Sequence, residues 1–247
     1  MFLGEGVLLL INTTFDFRSD AGNGDPDKTS PTLREYHRML WNKPLPSGRQ
    51  FDLDTETPGG YLHHRSELGE YWLGSDAVMA SFSSYLSTKA LVAQIPPDEV
   101  AHFDAMGYTI GGMMVFPNNM VDRKVTMNMA RGMNHATIAD RMDLTLECIR
   151  RYYRHDAGTP LGPVIARYHD FFALFNDFKG YVDFFLLQDM VASDYETVNF
   201  FMPFEGFQSP AVPRDISTYV GFRDRSLRFI TDRNARIEVW ASQHQTG

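Results

Sequence analysis

The sequence predicts an α+β fold: a single domain with a small, mainly antiparallel sheet and several packed helices, the C-terminal half mostly helical. Three observations predict it. Short apolar and aromatic runs bounded by Gly, Pro and Asn punctuate residues 7–17 and 108–129, the pattern of strands and turns. Apolar periods near 3.6 residues mark residues 136–153 and 215–239 as amphipathic helices. The 247 residues hold no internal repeat, no heptad array and no linker long enough to separate two domains.

Taken in order, the apolar run 7–11 leads into β-branched and aromatic residues 13–17, which read as a first strand. Residues 18–29, with Gly22, Gly24, Pro26 and several aspartates, are turn chemistry. Ser30 and Pro31 supply a cap and a first-turn proline, and Leu33, Tyr36 and Leu40 share one face of a helix ending near Trp41. The Pro- and Gly-rich stretch 42–74 carries strand-like pieces at 50–54 and 71–73. Ser75 and Asp76 cap a helix running to about Leu86, and a second helix opens at Pro97 and closes at Gly107. Residues 108–116 and 124–129, joined by Pro117, Asn118 and Asn119, predict a hairpin.

In the C-terminal half, Ile138, Met142, Leu146, Ile149 and Tyr153 form one core-facing stripe, which leaves Asp143, Glu147, Arg150 and Arg154 as a solvated ionic face. Two aromatic-rich helical segments, 163–175 and 179–191, follow as core. A strand at 197–204 and the long helix 215–239 complete the order.

Charge and composition narrow the function. A formal charge of −8 excludes a bulk electrostatic grip on DNA, which needs a dominant basic face. With Cys148 the single cysteine, no intramolecular disulfide and no Cys-rich zinc site is available, and a reducing cytoplasm is the expected location. The apolar run 7–11 is far too short to cross a bilayer and follows no basic segment. Composition assigns no cofactor and no oligomeric state.

No GxxxxGK[ST], GxSxG or HExxH motif is present. The loop Asn23, Asp25, Asp27 places oxygens on alternate positions as a calcium loop does, but Lys28 occupies the sixth position and no Glu the twelfth. It reads as turn and cap, with hydroxyl or metal binding as the alternative.

Two clusters carry acid, base and anion-binding groups. In the first, His64 is the candidate acid or base, Glu67 its orienting carboxylate and Arg65 an anion ligand, with His63 beside them. His63 and Glu67 share a face only if this piece is helical, where they would ligate a metal together with His64 or form an ion pair; otherwise the histidines are a surface pair or a hydrogen-bond hub. In the second, Asn128, Arg131 and Arg141 bind an anion and His135 is a second candidate acid or base, at a nucleotide-sized site near a helix start. The alternative there is a turn with a buried arginine paired to Asp140 or Asp143. No metal is assigned.

Two functions stay open on these residues. One is an enzyme acting on a nucleotide or nucleic-acid phosphate group, such as a toxin or phage-defence effector with a nucleotide or RNA ligand; it requires the two clusters to converge. The other is a non-catalytic module for a protein or small ligand.

Five stretches, FDFRSDAGNGDPDKTSPTLREYHRMLW, YLHHRSELGEYWLGSD, TIGGMMVFPNN, IADRMDLTLECIRRYY and DFFALFNDFKGYVDFFLLQDMV, resemble a bacterial family known as a domain of unknown function. The resemblance runs from about Ile11 to the C-terminus and implies one such domain, with residues 1–10 as an extension. It implies a bacterial or mobile-element origin and carries over no activity or catalytic residue.

Overall fold

Ser30 ends the aspartate-rich loop by capping a helix, its Oγ accepting from the Leu33 amide at 3.1 Å. Around that start the elements run α1 (Pro26–Thr29), α2 (Pro31–Trp41), β1 (Lys43–Pro44), β2 (Gln50–Phe51), β3 (Thr55–Thr57), β4 (Tyr61–Ser66), β5 (Gly69–Ala77), α3 (Lys89–Val92), α4 (Pro97–Gly107) and β6 (Met113–Pro117). Then come α5 (Met127–Arg131), α6 (Met142–Tyr153), α7 (Gly162–Arg167), α8 (His169–Ala173), α9 (Phe178–Phe184) and α10 (Ile216–His244). The computed structural model describes residues 11–53, 55–57 and 61–244. The fold is α+β.

Two antiparallel sheets form, the hairpin β1-β2 and a four-stranded sheet ordered β3-β4-β5-β6. Every residue of β6 is buried, because α10 closes over the segment that precedes it. The fully buried Arg233 of α10 donates to the carbonyls of Gly111, Met113 and Phe185 at 3.0, 2.7 and 3.1 Å. Its neighbour Asn234 accepts from the Gly111 amide at 2.7 Å. Gly111 permits this approach, since a Cβ there would sit 2.6 Å from the Ile230 carbonyl oxygen. Phe171, Phe172, Phe175, Tyr181 and Phe185 fill the core beneath, each 0–1% exposed. Among the described residues no helix is long and apolar enough to cross a membrane.

Several expectations require correction. Residues 7–10 lie outside the described residues, and 13–17 form no strand; a single 3₁₀ turn occupies Phe17–Ser19. Ser75 and Asp76 cap no helix but end β5, since Ser75 pairs with Val115 and Asp76 with Met114. The partner of β6 is therefore β5, and residues 127–131 form α5, capped by Thr126 accepting from the Met129 amide at 3.3 Å. The stretch 197–204 contributes one isolated bridge, Val191 to Val198, in place of a strand. The charged face of α6 is not solvated throughout: Asp143 is 0% and Glu147 3% exposed.

Candidate functional site

The first predicted cluster lies in a β-hairpin, where period-two alternation sends adjacent residues to opposite faces. His64 faces inward and is fully buried, its ring stacked 4.3 Å from Phe51 and 6.0 Å from its cross-strand partner Tyr71. Its Nε2 meets Ser66 Oγ at 2.9 Å and its Nδ1 lies 2.7 Å from the Asp52 carbonyl oxygen. It is a hydrogen-bond hub. His63 turns to the other face against Trp72, with Nε2 3.0 Å from Glu70. Arg65 and Glu67 are exposed at the tip.

The second cluster surrounds the far end of β5. Arg65 pairs with Glu70 at one end of that strand and Arg131 bonds Asp76 at the other. Six residues at about 3.3 Å each separate them by roughly 20 Å. The two clusters do not converge.

Arg131, the last residue of α5, is fully buried, and five acceptors surround it. Its Nη1 reaches Asp76 at 2.5 Å and the Ala77 carbonyl at 3.0 Å; Nη2 reaches the Asp140 carbonyl at 3.1 Å; Nε reaches Thr145 Oγ1 at 3.3 Å. The Asp140 carboxylate stands 3.9 Å from the same Nη1. Asn128, one turn earlier, donates to the Ser75 carbonyl at 2.9 Å. Arg141 is likewise buried, and Asp143 holds it at 2.5 and 3.0 Å. Arg141 thus has the partner that the turn alternative gives it, whereas the carboxylate bonded to Arg131 is Asp76, with Asp140 farther off. His135 sits in the 132–139 turn, its Nδ1 3.3 Å from the Thr137 amide.

What the sequence did not single out is the cavity that this clamp supports. It encloses about 400 Å³ between the end of β5, residues 79–85 and the C-terminal end of α4. Asp76, Asp140, Tyr85, Tyr108, Asp104 and Arg18 contribute its polar walls. The Tyr85 hydroxyl donates to Asp140 at 3.0 Å, and burial, followed by the Asp140 charge, raises that phenol. Burial pushes Asp76 up to about 6 against the pull of Arg131, with the Asp140 charge adding to the rise.

Asp27 of α1 extends this acidic wall. Burial, and then the charge of Asp76, push its carboxyl well above the usual range, and its Oδ1 is out of solvent with no hydrogen-bond partner. Arg18 lies 5.0 Å over the Tyr108 ring but is gripped by Asp16 at 2.5 and 2.9 Å. Two of the non-glycine residues with a left-handed backbone, Phe82 and Asp140 with φ of 63° and 56°, line the cavity; others lie elsewhere in the chain. Side chains at such angles persist where the surroundings enforce them, which is common at functional sites.

Among the described residues no three His, Cys, Asp or Glu side chains are grouped to hold a metal ion. Burial pushes the Cys148 thiol up to about 12, so it is no nucleophile near neutrality. No curated protein and no solved structure is found to match this chain. The model of a family of unknown function, DUF6994, matches residues 11–237 of the 247. The match covers nearly the whole chain, and the protein belongs to that family.

Proposed function

We propose that the Asp76–Asp140 cavity is an acid–base site that hydrolyses the glycosidic bond of a neutral, hydroxyl-rich substrate such as a sugar conjugate or nucleoside. The observation that carries this reading is the shared guanidinium. Asp76 and Asp140 stand 2.5 and 3.9 Å from one nitrogen of Arg131, so their oxygens are no farther apart than those two distances together. Glycosidase carboxyl pairs work at roughly 5–9.5 Å between carboxyls, one as acid and the other facing the sugar carbon. Asp76, held near 6 by burial, suits the acid, which protonates the leaving oxygen or nitrogen. Asp140, oriented by Tyr85, faces the positive charge that grows on the sugar ring. Water adds to the anomeric carbon and gives up a proton to the ionised Asp76, which restores the acid and completes the cleavage.

The charge of the walls argues for a hydroxylated ligand over a phosphate. Three acidic side chains, Asp76, Asp104 and Asp140, line the cavity; Arg131 is spent on the first and last from behind the wall, and the one cation in the lining, Arg18, is already answered by Asp16. Such a field repels anions, while carboxylates and tyrosine rings are suited to sugar hydroxyls and faces. A nucleotide would be taken by its sugar and base. A single buried cysteine fits a reducing, cytoplasmic setting.

The test is release of chromophore from a panel of nitrophenyl glycosides, and of free base from nucleosides, by the purified protein. Expected is turnover that falls as pH rises through about 6, the value set for Asp76. Asp76→Asn should remove the activity and its alkaline limb together. Absence of turnover and of any thermal shift with the whole panel, in protein that melts cooperatively, would overturn the reading in favour of a binding module.

A further inference from the structure

A second cavity, of about 510 Å³, opens on another part of the molecule between the β1-β2 hairpin, α9 and the C-terminal end of α10. Lys43, the first residue of β1, lines it although only 9% of the residue is exposed. Its Nζ sits 4.9 Å from the ring centroid of Trp41, 4.7 Å from Phe184 and 5.1 Å from Trp240. Phe184 and Trp240 are themselves cavity walls. Among the described residues Nζ has neither an ion-pair partner nor a hydrogen-bond acceptor.

This is an unusual place for an ammonium. A buried lysine is ordinarily paired, because transferring the charge out of water is costly unless a carboxylate or several acceptors meet it. Aromatic faces offset part of that cost for the cation, and a neutral amine needs no partner at all. The neighbouring charges act in opposite senses: Arg233 disfavours a second cation, while Asp183, at the mouth, favours it and is the weaker of the two. Asp177, Lys179 and His244 also line the opening. Burial and Arg233 together lower the amine to about 7, and a desolvated lysine beside another cation is an activated nucleophile.

We propose that Lys43 is a reactive amine that captures a small carbonyl compound, an aldehyde or α-keto acid, as an imine in this cavity. The Nζ lone pair forms a bond to the carbonyl carbon and the carbonyl π bond opens to a carbinolamine. The carbinolamine then loses its hydroxyl with a proton from nitrogen, so that one water leaves for each imine formed. The rings of Trp41, Phe184 and Trp240, which face the ammonium in the free protein, face the iminium that the imine becomes on taking up a proton from water.

The experiment uses the full chain with glyoxylate and, separately, pyridoxal 5′-phosphate at pH 7, followed by borohydride and peptide mapping. The chain has five lysines, so Lys28, Lys89, Lys124 and Lys179 serve as internal controls. Expected is one adduct per chain on Lys43, formed about tenfold or more faster than on Lys179, as the difference in neutral amine at pH 7 requires. Its rate should rise through about pH 7 and level off. Lys43→Arg, which keeps the cation over the rings, should melt as wild type and lose that adduct. Labelling of the exposed lysines with Lys43 untouched by both probes would overturn the proposal, as would an unchanged adduct in Lys43→Arg.

Discussion

Arg131 and Lys43 are both buried cations, and they are answered in opposite ways. Around Arg131 the fold assembles two carboxylates, two carbonyls and a hydroxyl. Around Lys43 it assembles three aromatic faces and, among the described residues, no acceptor. Arg233 falls between, with three carbonyls and, among the described residues, no ion-paired carboxylate, and burial lowers it to about 9. The comparison teaches that burial alone does not say what a charge is for. A fully answered guanidinium fixes the geometry of groups around it, here Asp76 and Asp140, whereas an unanswered amine keeps its own proton in play.

Arg131→Met breaks the first side of the comparison most severely. It leaves Asp76 and the carbonyl of Asp140 without their donor in a buried site, a class of change that costs about 3–5 kcal/mol. Urea unfolding should show that loss at pH 7, smaller at pH 5 where Asp76, held near 6, takes up a proton and no longer needs the cation. A loss below about 1 kcal/mol would mean that Asp76 is met by water and is not clamped.

Lys43→Met tests the other side and should have the opposite sign. The native state holds this lysine at about 7 against an ordinary 10.5, so between those values the unfolded chain binds more protons than the native one. Wild-type stability therefore rises with pH across that window, and the penalty of the charge is fully present below pH 7. Methionine, similar in length and neutral, should stabilise by about 1–3 kcal/mol at pH 7, less than the whole shift converts to because the rings hold the charged form. The gain should vanish by about pH 10.5. A destabilised Lys43→Met protein at pH 7 would show that the aromatic contacts outweigh desolvation.

How much of this was legible beforehand depends on distance along the chain. Helices α2 and α4 begin and end where Ser30, Pro31, Pro97 and Gly107 predict, because caps and stops act within a few residues. The fate of Ser75 and Asp76 was not legible: the same pair can cap a helix or end a strand, and what decides is β6 on one side and Arg131, 55 residues away, on the other. The site candidates divide the same way. Asp140 and Asp143 were readable as partners for the arginines because they are close in sequence, but the cavity itself draws residues from four separate segments. The Lys43 cage joins Trp41 to Phe184 and Trp240, and no local pattern announces it. His63 and His64 were legible as a pair and misleading as a site, since a strand separates what a helix or loop would gather.

The smallest expected effect separates the two carboxylates on Arg131. Asp76 is at hydrogen-bond distance from the guanidinium and Asp140 is 3.9 Å away with its side chain 20% exposed. Asp140→Asn keeps a residue that tolerates the left-handed backbone found there, at φ 56°, and keeps an acceptor for Tyr85. It should destabilise by only about 0.5 kcal/mol, the scale of a partly exposed charge interaction, as read by urea unfolding. If Asp140 faces substrate as proposed, the same substitution should nevertheless lower turnover by about 100-fold. A variant that loses stability and turnover in proportion would make Asp140 a second structural counter-ion, and the carboxylate pair would then have no member free for chemistry.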